Sequence, residues 1–222
     1  MRLSEIAKKY PTDKDFTHNY YETAYESALS SIREGVKFVC EIGIGGFWNE
    51  AGWVHGNSLK VWRDYFPNAD ILGLDIKEYQ IEDLGRIRTG WLDQSKKDLV
   101  VDYASKLKDY DLIVDDGSHN IYDQQITLAY FFKCLKPGGI YILEDLHSSI
   151  EVNDLEKAKL WGWGEAGHIT PLQMLEHHIG TKEIISDYLD EGEKQYLEQS
   201  IDKIEVFHIG PTSITSIIRK KI

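Results

Sequence analysis

The stretch that decides the fold is Asp111–His147, DLIVDDGSHNIYDQQITLAYFFKCLKPGGIYILEDLH. Two short apolar runs in it, Leu112–Val114 and Ile140–Leu143, have the length and composition of buried β-strands. Between them, large apolar side chains recur at helical spacing behind Asn120, which is typical of a helix N-cap, with Asp123 placed as in a capping box. The Lys-Pro-Gly-Gly run that follows predicts the end of the helix. The stretch therefore predicts strand, helix and strand.

Each of the two strands ends in a pair of carboxylates, Asp115-Asp116 and Glu144-Asp145. A strand–helix–strand unit of this length normally joins parallel strands, so neighbouring strands would present both pairs at one sheet edge, roughly 5 Å apart. Ligands of open α/β sheets bind at that edge. Crowded carboxylates repel one another unless a cation or protons compensate, and a hard divalent ion is the expected occupant. The alternative, that each acid caps a helix or faces solvent, suits one acid better than two pairs.

The composition of the chain limits its class. With 222 residues, of which 42% are hydrophobic, it can bury a substantial core in one domain. Its net charge of −12 argues against a broad surface for nucleic acid or anionic membranes. Cys40 and Cys134 lie among apolar neighbours, which predicts buried, reduced thiols. No apolar run approaches the roughly 20 residues that span a bilayer, and the N-terminus has no signal-peptide pattern, so we expect a soluble, cytoplasmic protein.

The N-terminal 35 residues predict a helical segment that packs on the core. Four side chains fall at approximately helical spacing and suggest a packed face: Tyr20, Tyr21, Tyr25 and Leu29. His18 and Tyr20 either belong to such packing or close over a ligand, and the sequence leaves both possibilities open.

A glycine-rich loop, Gly43–Gly46, follows the first strong strand, Lys37–Ile42. Glycines there allow a tight turn and a close approach of the backbone to a ligand. A nicotinamide dinucleotide site would prefer G-x-G-x-x-G opening directly into a helix, whereas here the helix begins only near Ser58. That spacing counts against pyrophosphate binding. Asn57 or Ser58 could cap the helix and still offer donors to a carboxylate.

Two further strand ends carry polar side chains that suit a nucleoside. The strand Asp70–Ile76 ends at Asp75, which could accept hydrogen bonds from both hydroxyls of a ribose. A short third strand, Arg86–Thr89, precedes Asp93 and Gln94, which could recognise the edge of an adenine. Each alone would be an ordinary surface turn, but the ordered set is more specific.

The last third of the chain is less informative. Trp161 and Trp163 lie among glycines, which suits either a mobile aromatic flap over a sugar or packing against the body. We expect residues 148–200 to form a substrate flap and helices, and the final residues to form a hairpin on the sheet edge. The predicted elements are a helix from Thr170-Pro171 to about Gly180, a charged helix over Glu191–Gln199, and strands Ile204–Ile209 and Ser213–Ile218. Together these patterns predict one α/β domain in residues 36–222, with about seven mostly parallel strands, one antiparallel edge strand and helices on both faces.

The ordered motifs EIGIGG, GLDI, LDQS, DLIVDDGSH, LKPGG and IYILEDLH resemble those of class I S-adenosylmethionine-dependent methyltransferases, which have a Rossmann-like fold. More narrowly, the chain resembles the metal-dependent sugar O-methyltransferases of macrolide biosynthesis, of the mycinamicin and macrocin type, and related enzymes of bacterial polysaccharide pathways. TDK at 12–14, His18, Tyr20 and NSLKVWRDYFPNA also match that group. The resemblance covers about the first two-thirds of the chain. DDGSH paired with EDLH is its distinctive part.

The resemblance implies a role for each matching residue. The cofactor S-adenosylmethionine would be bound by Glu41, Gly43, Gly45, Ser58, Asp75, Asp93 and Gln94. Magnesium would be bound by Asp116, Glu144 and Asp145, and His119 would be the general base. Asp115 faces either the cofactor, which we favour, or the metal. His55-Gly56 departs from the family pattern, in which two glycines are expected.

The chemistry of these residue types fits that assignment. A sugar hydroxyl is a poor nucleophile, and magnesium can orient two neighbouring hydroxyls and lower the pKa of one. His119 would then remove the proton, a step worth roughly 10²–10⁴-fold in rate. A structural histidine at the helix start is the alternative. His147 follows the second acidic pair and could also reach the substrate.

The sequence therefore favours Mg²⁺-dependent O-methylation of a sugar hydroxyl on a glycoside, a polysaccharide precursor or a nucleotide-linked sugar. Three alternatives remain open at this stage: an O-methyltransferase of catechol-like diols, a non-catalytic protein that binds the cofactor or the metal, and a nicotinamide dehydrogenase. The resemblance also implies a possible homo-oligomer, although no stretch of the sequence identifies an interface.

Overall fold

A seven-stranded sheet organises the chain. The computed structural model describes residues 2–10, 12, 14, 21–45, 54–79, 81, 85–209 and 213–222. In chain order the strands are β1 (Phe38–Ile42), β2 (Asp70–Asp75), β3 (Ile87–Trp91), β4 (Tyr110–Asp115), β5 (Leu135–Leu143), β6 (Ile201–Ile209) and β7 (Ser213–Lys220). Their order across the sheet is β3-β2-β1-β4-β5-β7-β6. Neighbours among the first five strands pair in parallel, whereas β7 is antiparallel to both β5 and β6. The predicted mostly parallel sheet with an antiparallel edge is confirmed.

Helices cover both faces of this sheet. They are α1 (Leu3–Ala7), α2 (Tyr21–Leu29), α3 (Asn57–Tyr65), α4 (Lys97–Ser105), α5 (Ile121–Phe131), α6 (Ser148–Glu151), α7 (Leu155–Trp161), α8 (Pro171–Thr181) and α9 (Glu191–Ser200). One apolar core includes side chains of α4, α5, α8 and α9, and the other includes side chains of α1, α2 and α3. Among the described residues, no helix combines the length and the apolar character needed to cross a bilayer.

The strand–helix–strand unit forms largely as its sequence predicts, with two differences. Asn120 caps α5 by accepting a hydrogen bond from the backbone N–H of Tyr122 at 2.9 Å, but Asp123 does not complete a capping box. Its carboxylate accepts a hydrogen bond from the hydroxyl of Ser118 at 2.6 Å instead. The Lys-Pro-Gly-Gly run lies inside β5 and does not end the helix, because a short 3₁₀ turn over Phe132–Cys134 ends it first.

The alternation of side chains along the strands decides which acids can meet. Ile113 of β4 and Tyr141 of β5 lie in the core on the α5 side, whereas Val114 and Ile142 lie in the core on the α3 side. Continued by one residue, this alternation directs the side chain of Asp115, the first acid after Val114, toward the α5 side. The cysteines, Cys40 and Cys134, are both buried free thiols, as predicted.

Candidate functional site

The ends of β4 and β5 bring the two acidic pairs together. Asp115 is in register with Leu143, and the backbone N–H of Glu144 donates to the carbonyl of Asp115 at 3.0 Å. The N–H of Asp116 donates to the carbonyl of Ile42 at 2.8 Å, so the end of β1 lies beside them. The carboxyl edge of three neighbouring strands therefore forms one polar site.

Three side chains at this edge converge on one point. The possible ligand atoms of Asp116, His119 and Asp145 all lie within 4.8 Å of one another. The Nε2 atom of His119 is 3.4 Å from Oδ2 of Asp145 and 3.8 Å from Oδ1 of Asp116. All three side chains are partly open to solvent, with 17% to 25% of each exposed. Two carboxylates and one imidazole at such an opening fit a divalent cation that keeps water or substrate in its remaining positions.

Two residues of this cluster have an unusual backbone conformation. His119 has φ of 55° and Asp145 has φ of 53°, both in the left-handed region that residues other than glycine rarely adopt. Such conformations cost roughly 1–3 kcal/mol each and persist where the surrounding structure enforces them. His119 lies four residues after the end of β4 and Asp145 lies two residues after the end of β5, so both conformations occur in the loops that follow these strands.

Glu144 lies beside this cluster but is oriented into the protein. Its side chain is fully buried, and Oε2 accepts a hydrogen bond from the ammonium of Lys14 at 2.8 Å. The hydroxyl of Tyr25 donates to Oε1 of the same carboxylate. Lys14 also pairs with Oδ2 of Asp116, so a single ammonium bridges the two acids. Direct ligation of a metal by Glu144 stays a prediction.

The sequence predicted no functional role for Lys14 or Tyr25. Lys14 belongs to the TDK motif at 12–14, which is part of the family resemblance. That motif is the sequence signal that could have identified Lys14 as a site residue. Tyr25 was assigned only to a packed face. His18 and Tyr20, which could close over a ligand, lie outside the described residues.

Glu41 links the carboxylate site to the helix that follows the glycine loop. It is fully buried at the end of β1, and the hydroxyl of Ser58 donates to its Oε2 at 2.7 Å. The Nζ atom of Lys14 lies 4.0 Å from Oε1 of Glu41. Three acidic side chains from three strand ends, Glu41, Asp116 and Glu144, therefore surround one ammonium.

The glycine loop is in direct contact with the carboxylate site. Gly43 has φ of +84°, and a Cβ built on it would lie 1.9 Å from the backbone oxygen of Asp116. A Cβ on Gly45 would lie 2.3 Å from ring atoms of Tyr79. The side chain of His55 stacks on that ring at 4.0 Å. His55, which departs from the family pattern, therefore contributes to packing over the loop.

Asp75 fixes the loop from the neighbouring strand. Its Oδ2 accepts from the N–H of Ile44 at 2.9 Å and its Oδ1 accepts from the N–H of Lys77 at 2.9 Å. Each carboxylate oxygen can accept more than one hydrogen bond, so this arrangement is compatible with ribose hydroxyls. Burial and the charge of Asp75 raise the pKa of Tyr79, whose ring lies nearby.

Gln94 and Asp115 lie in an internal network on the opposite side of the sheet. The amide of Gln94 donates to Oδ1 of Asp115 at 2.9 Å, and the hydroxyl of Tyr141 donates to Oδ2 at 2.9 Å. The carbonyl oxygen of Gln94 accepts from the N–H of Ser118 at 2.9 Å. Burial raises the pKa of Asp115 to about 7, although the hydrogen bonds from Tyr141 and Gln94 oppose that shift. The direct cofactor contacts expected of Asp115 and Gln94 stay predictions.

Asp93 is held in a local turn. Its Oδ1 accepts from the N–H of Ser95 at 3.0 Å and from the hydroxyl of Ser95 at 2.7 Å. It is partly exposed, and contact with an adenine also stays a prediction.

The two tryptophans of the tail lie next to the site. The carbonyl of Trp163 accepts from the N–H of Ile121 at 2.9 Å, and Asn120 donates to the carbonyl of Gly162 at 2.7 Å. Trp163 is buried, whereas Trp161, stacked on it at 6.2 Å, is 41% exposed. His147 meets the Trp163 ring edge-on at 5.7 Å. Of the two possibilities left by the sequence, packing against the body describes Trp163.

Comparisons with characterised proteins add to this geometry. No family model matches the chain. It is 33% identical over 144 residues to mycinamicin VI 2''-O-methyltransferase of Micromonospora griseorubida, an alignment that covers 65% of this chain and 36% of the relative. It is 33% identical over 147 residues to 8-demethyl-8-alpha-L-rhamnosyl tetracenomycin-C 2'-O-methyltransferase of Streptomyces olivaceus, with 66% and 38% covered. These alignments span little more than a third of each curated relative.

Solved structures agree in fold. The MycE methyltransferase of the mycinamycin biosynthetic pathway, solved in complex with Mg, SAH and mycinamycin VI, matches with a TM-score of 0.77 and 27% identity, covering 100% of this chain and 55% of that chain. A putative ribosomal RNA methyltransferase of Plasmodium falciparum matches with a TM-score of 0.53 and 15% identity, which is a likeness of fold alone.

Proposed function

We propose that this chain, which belongs to the class I S-adenosylmethionine-dependent methyltransferases, transfers a methyl group to a sugar hydroxyl with the help of Mg²⁺. The observation that carries the proposal is the contact between the glycine loop and the carboxylate site. Because a Cβ on Gly43 would lie 1.9 Å from the backbone of Asp116, a ligand on the loop and a cation at Asp116 would be immediate neighbours. Methyl transfer with metal assistance needs that proximity.

The acceptor class follows from the relatives. One relative is named as a 2''-O-methyltransferase of mycinamicin VI, and the other as a 2'-O-methyltransferase of a rhamnosyl tetracenomycin. Because this chain spans little more than a third of them, its acceptor is proposed only as a sugar hydroxyl on a glycoside, a polysaccharide precursor or a nucleotide-linked sugar.

The ligands divide between the two sides of the site. Asp116 and Asp145, with Glu144 adjacent, would hold the cation, and Glu41, Ser58 and Asp75 would hold the methyl donor. When bound, S-adenosylmethionine supplies an electrophilic methyl group and Mg²⁺ supplies a Lewis acid that polarises neighbouring hydroxyls.

His119 is assigned as the base that accepts the hydroxyl proton. One nitrogen cannot hold a cation and accept a proton together, and Mg²⁺ prefers oxygen ligands, so Nε2 of His119 is better used as a base. The methyl group would come from the cofactor held by Glu41, Ser58 and Asp75, and Nε2 of His119 would accept the proton that the acceptor hydroxyl loses. Asp145, whose Oδ2 lies 3.4 Å from that nitrogen, stabilises the imidazolium so formed.

A panel of acceptors tests the proposal. The full chain is incubated with S-adenosylmethionine carrying a labelled methyl group, and with rhamnosides, other glycosides, nucleotide sugars and catechols. We expect label on sugar hydroxyls, loss of transfer with EDTA and recovery with added Mg²⁺. Transfer confined to catechols, transfer that EDTA does not affect, or cofactor binding with no transfer to any acceptor would each contradict the proposal.

A further inference from the structure

Lys14 is a buried cation at the centre of the site. Its side chain has no exposed surface, yet its ammonium contacts the carboxylates of Asp116 and Glu144 and lies 4.0 Å from Glu41. A charged group this deeply buried is tolerated only with compensating partners. The three partners come from the ends of three different strands, so the ammonium also connects β1, β4 and β5.

The two oxygens of Asp116 face different groups. Oδ2 contacts the ammonium of Lys14, while Oδ1 lies toward His119, in the cluster that would hold a divalent cation. Glu144 gives one oxygen to Lys14 and the other to the hydroxyl of Tyr25. A divalent cation bound by these acids would therefore share carboxylates that already carry a positive charge.

We propose that Lys14 is a positioning residue that holds Asp116 and Glu144 together and lowers their affinity for Mg²⁺. This inference rests on the function proposed above. Without the ammonium, the two carboxylates would lose the positive charge that both of them contact, and their mutual repulsion would increase. With it, the pair stays assembled, but the ammonium repels an incoming divalent cation. Both effects arise from one charge. We therefore expect the site to bind Mg²⁺ reversibly, and more weakly than it would without the charge of Lys14.

The sign of the effect on metal affinity distinguishes this role from a merely structural one. Coulomb repulsion between an ammonium and a divalent ion that share a carboxylate is large at the effective dielectric of a protein interior. Removing the charge should therefore strengthen Mg²⁺ binding even as the protein loses stability. Loss of a purely structural lysine would loosen the site and weaken binding.

The test is Lys14→Met in the full chain, with Mg²⁺ binding measured by calorimetry and by thermal melts in the absence of any acceptor. We expect a lower melting temperature without the metal, Mg²⁺ affinity increased roughly tenfold or more, and a larger Mg²⁺-induced rise in melting temperature than in the wild type. Lys14→Arg, which keeps the charge, should keep an affinity near that of the wild type. If Lys14→Met does not fold, Lys14→Gln, which keeps an N–H donor without the charge, carries the same expectation.

Two controls separate the charge from general destabilisation. Lys136→Met is the same substitution at an ion pair with Asp111, whose carboxylate accepts from the N–H groups of Lys37 and Phe38 at the opposite end of β1. It should leave Mg²⁺ affinity unchanged. Tyr25→Phe removes a neutral donor from Glu144 and should change the affinity less than Lys14→Met does.

Mg²⁺ binding by the wild type and by Lys14→Met distinguishes an error in the role of Lys14 from an error in the proposed function. If the wild type binds Mg²⁺ and Lys14→Met binds it equally or more weakly, the role of Lys14 is wrong and the proposed function stands. If the wild type gives no heat and no melting shift with Mg²⁺, the metal-dependent function fails, and the inference about Lys14 fails with it.

Discussion

The Nε2 atom of His119 lies 3.4 Å from Oδ2 of Asp145, although the two residues follow different strands and are 26 positions apart in the chain. Both residues have positive φ, and their side chains face each other across the ends of β4 and β5. This relationship gives the imidazole an anionic neighbour on the side where a substrate proton would arrive. It also makes the two residues separately testable.

Replacing His119 with Ala should reduce turnover by roughly 10²–10⁴-fold, because the acceptor hydroxyl would lose its base. Affinity for S-adenosylhomocysteine, measured by calorimetry, should change little, since the residues expected to hold the cofactor are elsewhere. His168→Ala is the matched control, because that histidine is paired with Asp187 away from the strand ends. Turnover by the His119 variant at the wild-type rate would show that His119 is not the base.

Replacing Asp145 with Asn should weaken the activation of turnover by Mg²⁺, because an amide is a poorer ligand than a carboxylate. Asp109→Asn is a close control, since Asp109 has φ of 61° and the same substitution there has a similar backbone effect. The Mg²⁺ dependence of the Asp109 variant should match that of the wild type. A wild-type response in the Asp145 variant would refute its role as a ligand.

Much of the architecture could be predicted because it depends on local patterns. The apolar runs, the acidic strand ends and the N-caps at Asn120 and Thr170 all lie within a few residues of the structure they specify. Alternation along β4 also accounts for Asp115, which joins Tyr141 on one side of the sheet while Asp116 meets Lys14 on the other. The side chains of two consecutive residues at the end of a strand therefore reach opposite faces of the sheet.

The partner of the acidic pair was beyond local prediction. Lys14 is 102 positions from Asp116 and 130 from Glu144, so only the tertiary fold brings them together. The positive φ of Asp145 could not be predicted from the sequence either, because most aspartates adopt negative φ and the residue type alone does not indicate the exception. The sequence therefore identified the acids but not the cation among them.

Replacing Gly43 with Ala should destabilise the protein and weaken cofactor binding. The new Cβ would lie 1.9 Å from the backbone oxygen of Asp116, and backbone cannot move aside as a flexible side chain can. Gly162→Ala is the control, since Gly162 has φ of +72° but, apart from its chain neighbours, no described residue has an atom within 4 Å of its Cβ position. The control should cost roughly 1–2 kcal/mol in chemical denaturation, and Gly43→Ala should cost more. Equal losses would show that the close approach is unimportant.

The stability of the protein should fall in mild acid because of His178. The side chain is buried, and neither ring nitrogen has a hydrogen-bond partner among the described residues. Burial, followed by repulsion from Lys182, lowers its pKa. The unfolded chain therefore binds the proton first as the pH falls through about 6.5, so stability decreases from there toward the lower pKa of the folded state.

Denaturation of the wild type and of His178→Leu, measured between about pH 7.5 and pH 5, checks this expectation. The His178→Leu variant should lose less stability over that interval than the wild type does. Identical slopes in the wild type and the His178 variant would contradict the assignment.

The proposed metal site places a divalent cation at the ends of β4 and β5, beside His119. Anomalous diffraction from crystals of the full chain grown with Mn²⁺ in place of Mg²⁺ tests it most directly. We predict an anomalous peak within bonding distance of carboxylate oxygens of Asp116 and Asp145, adjacent to His119. Well-diffracting crystals with no peak at these acids, or with the ion bound only elsewhere, would contradict the account.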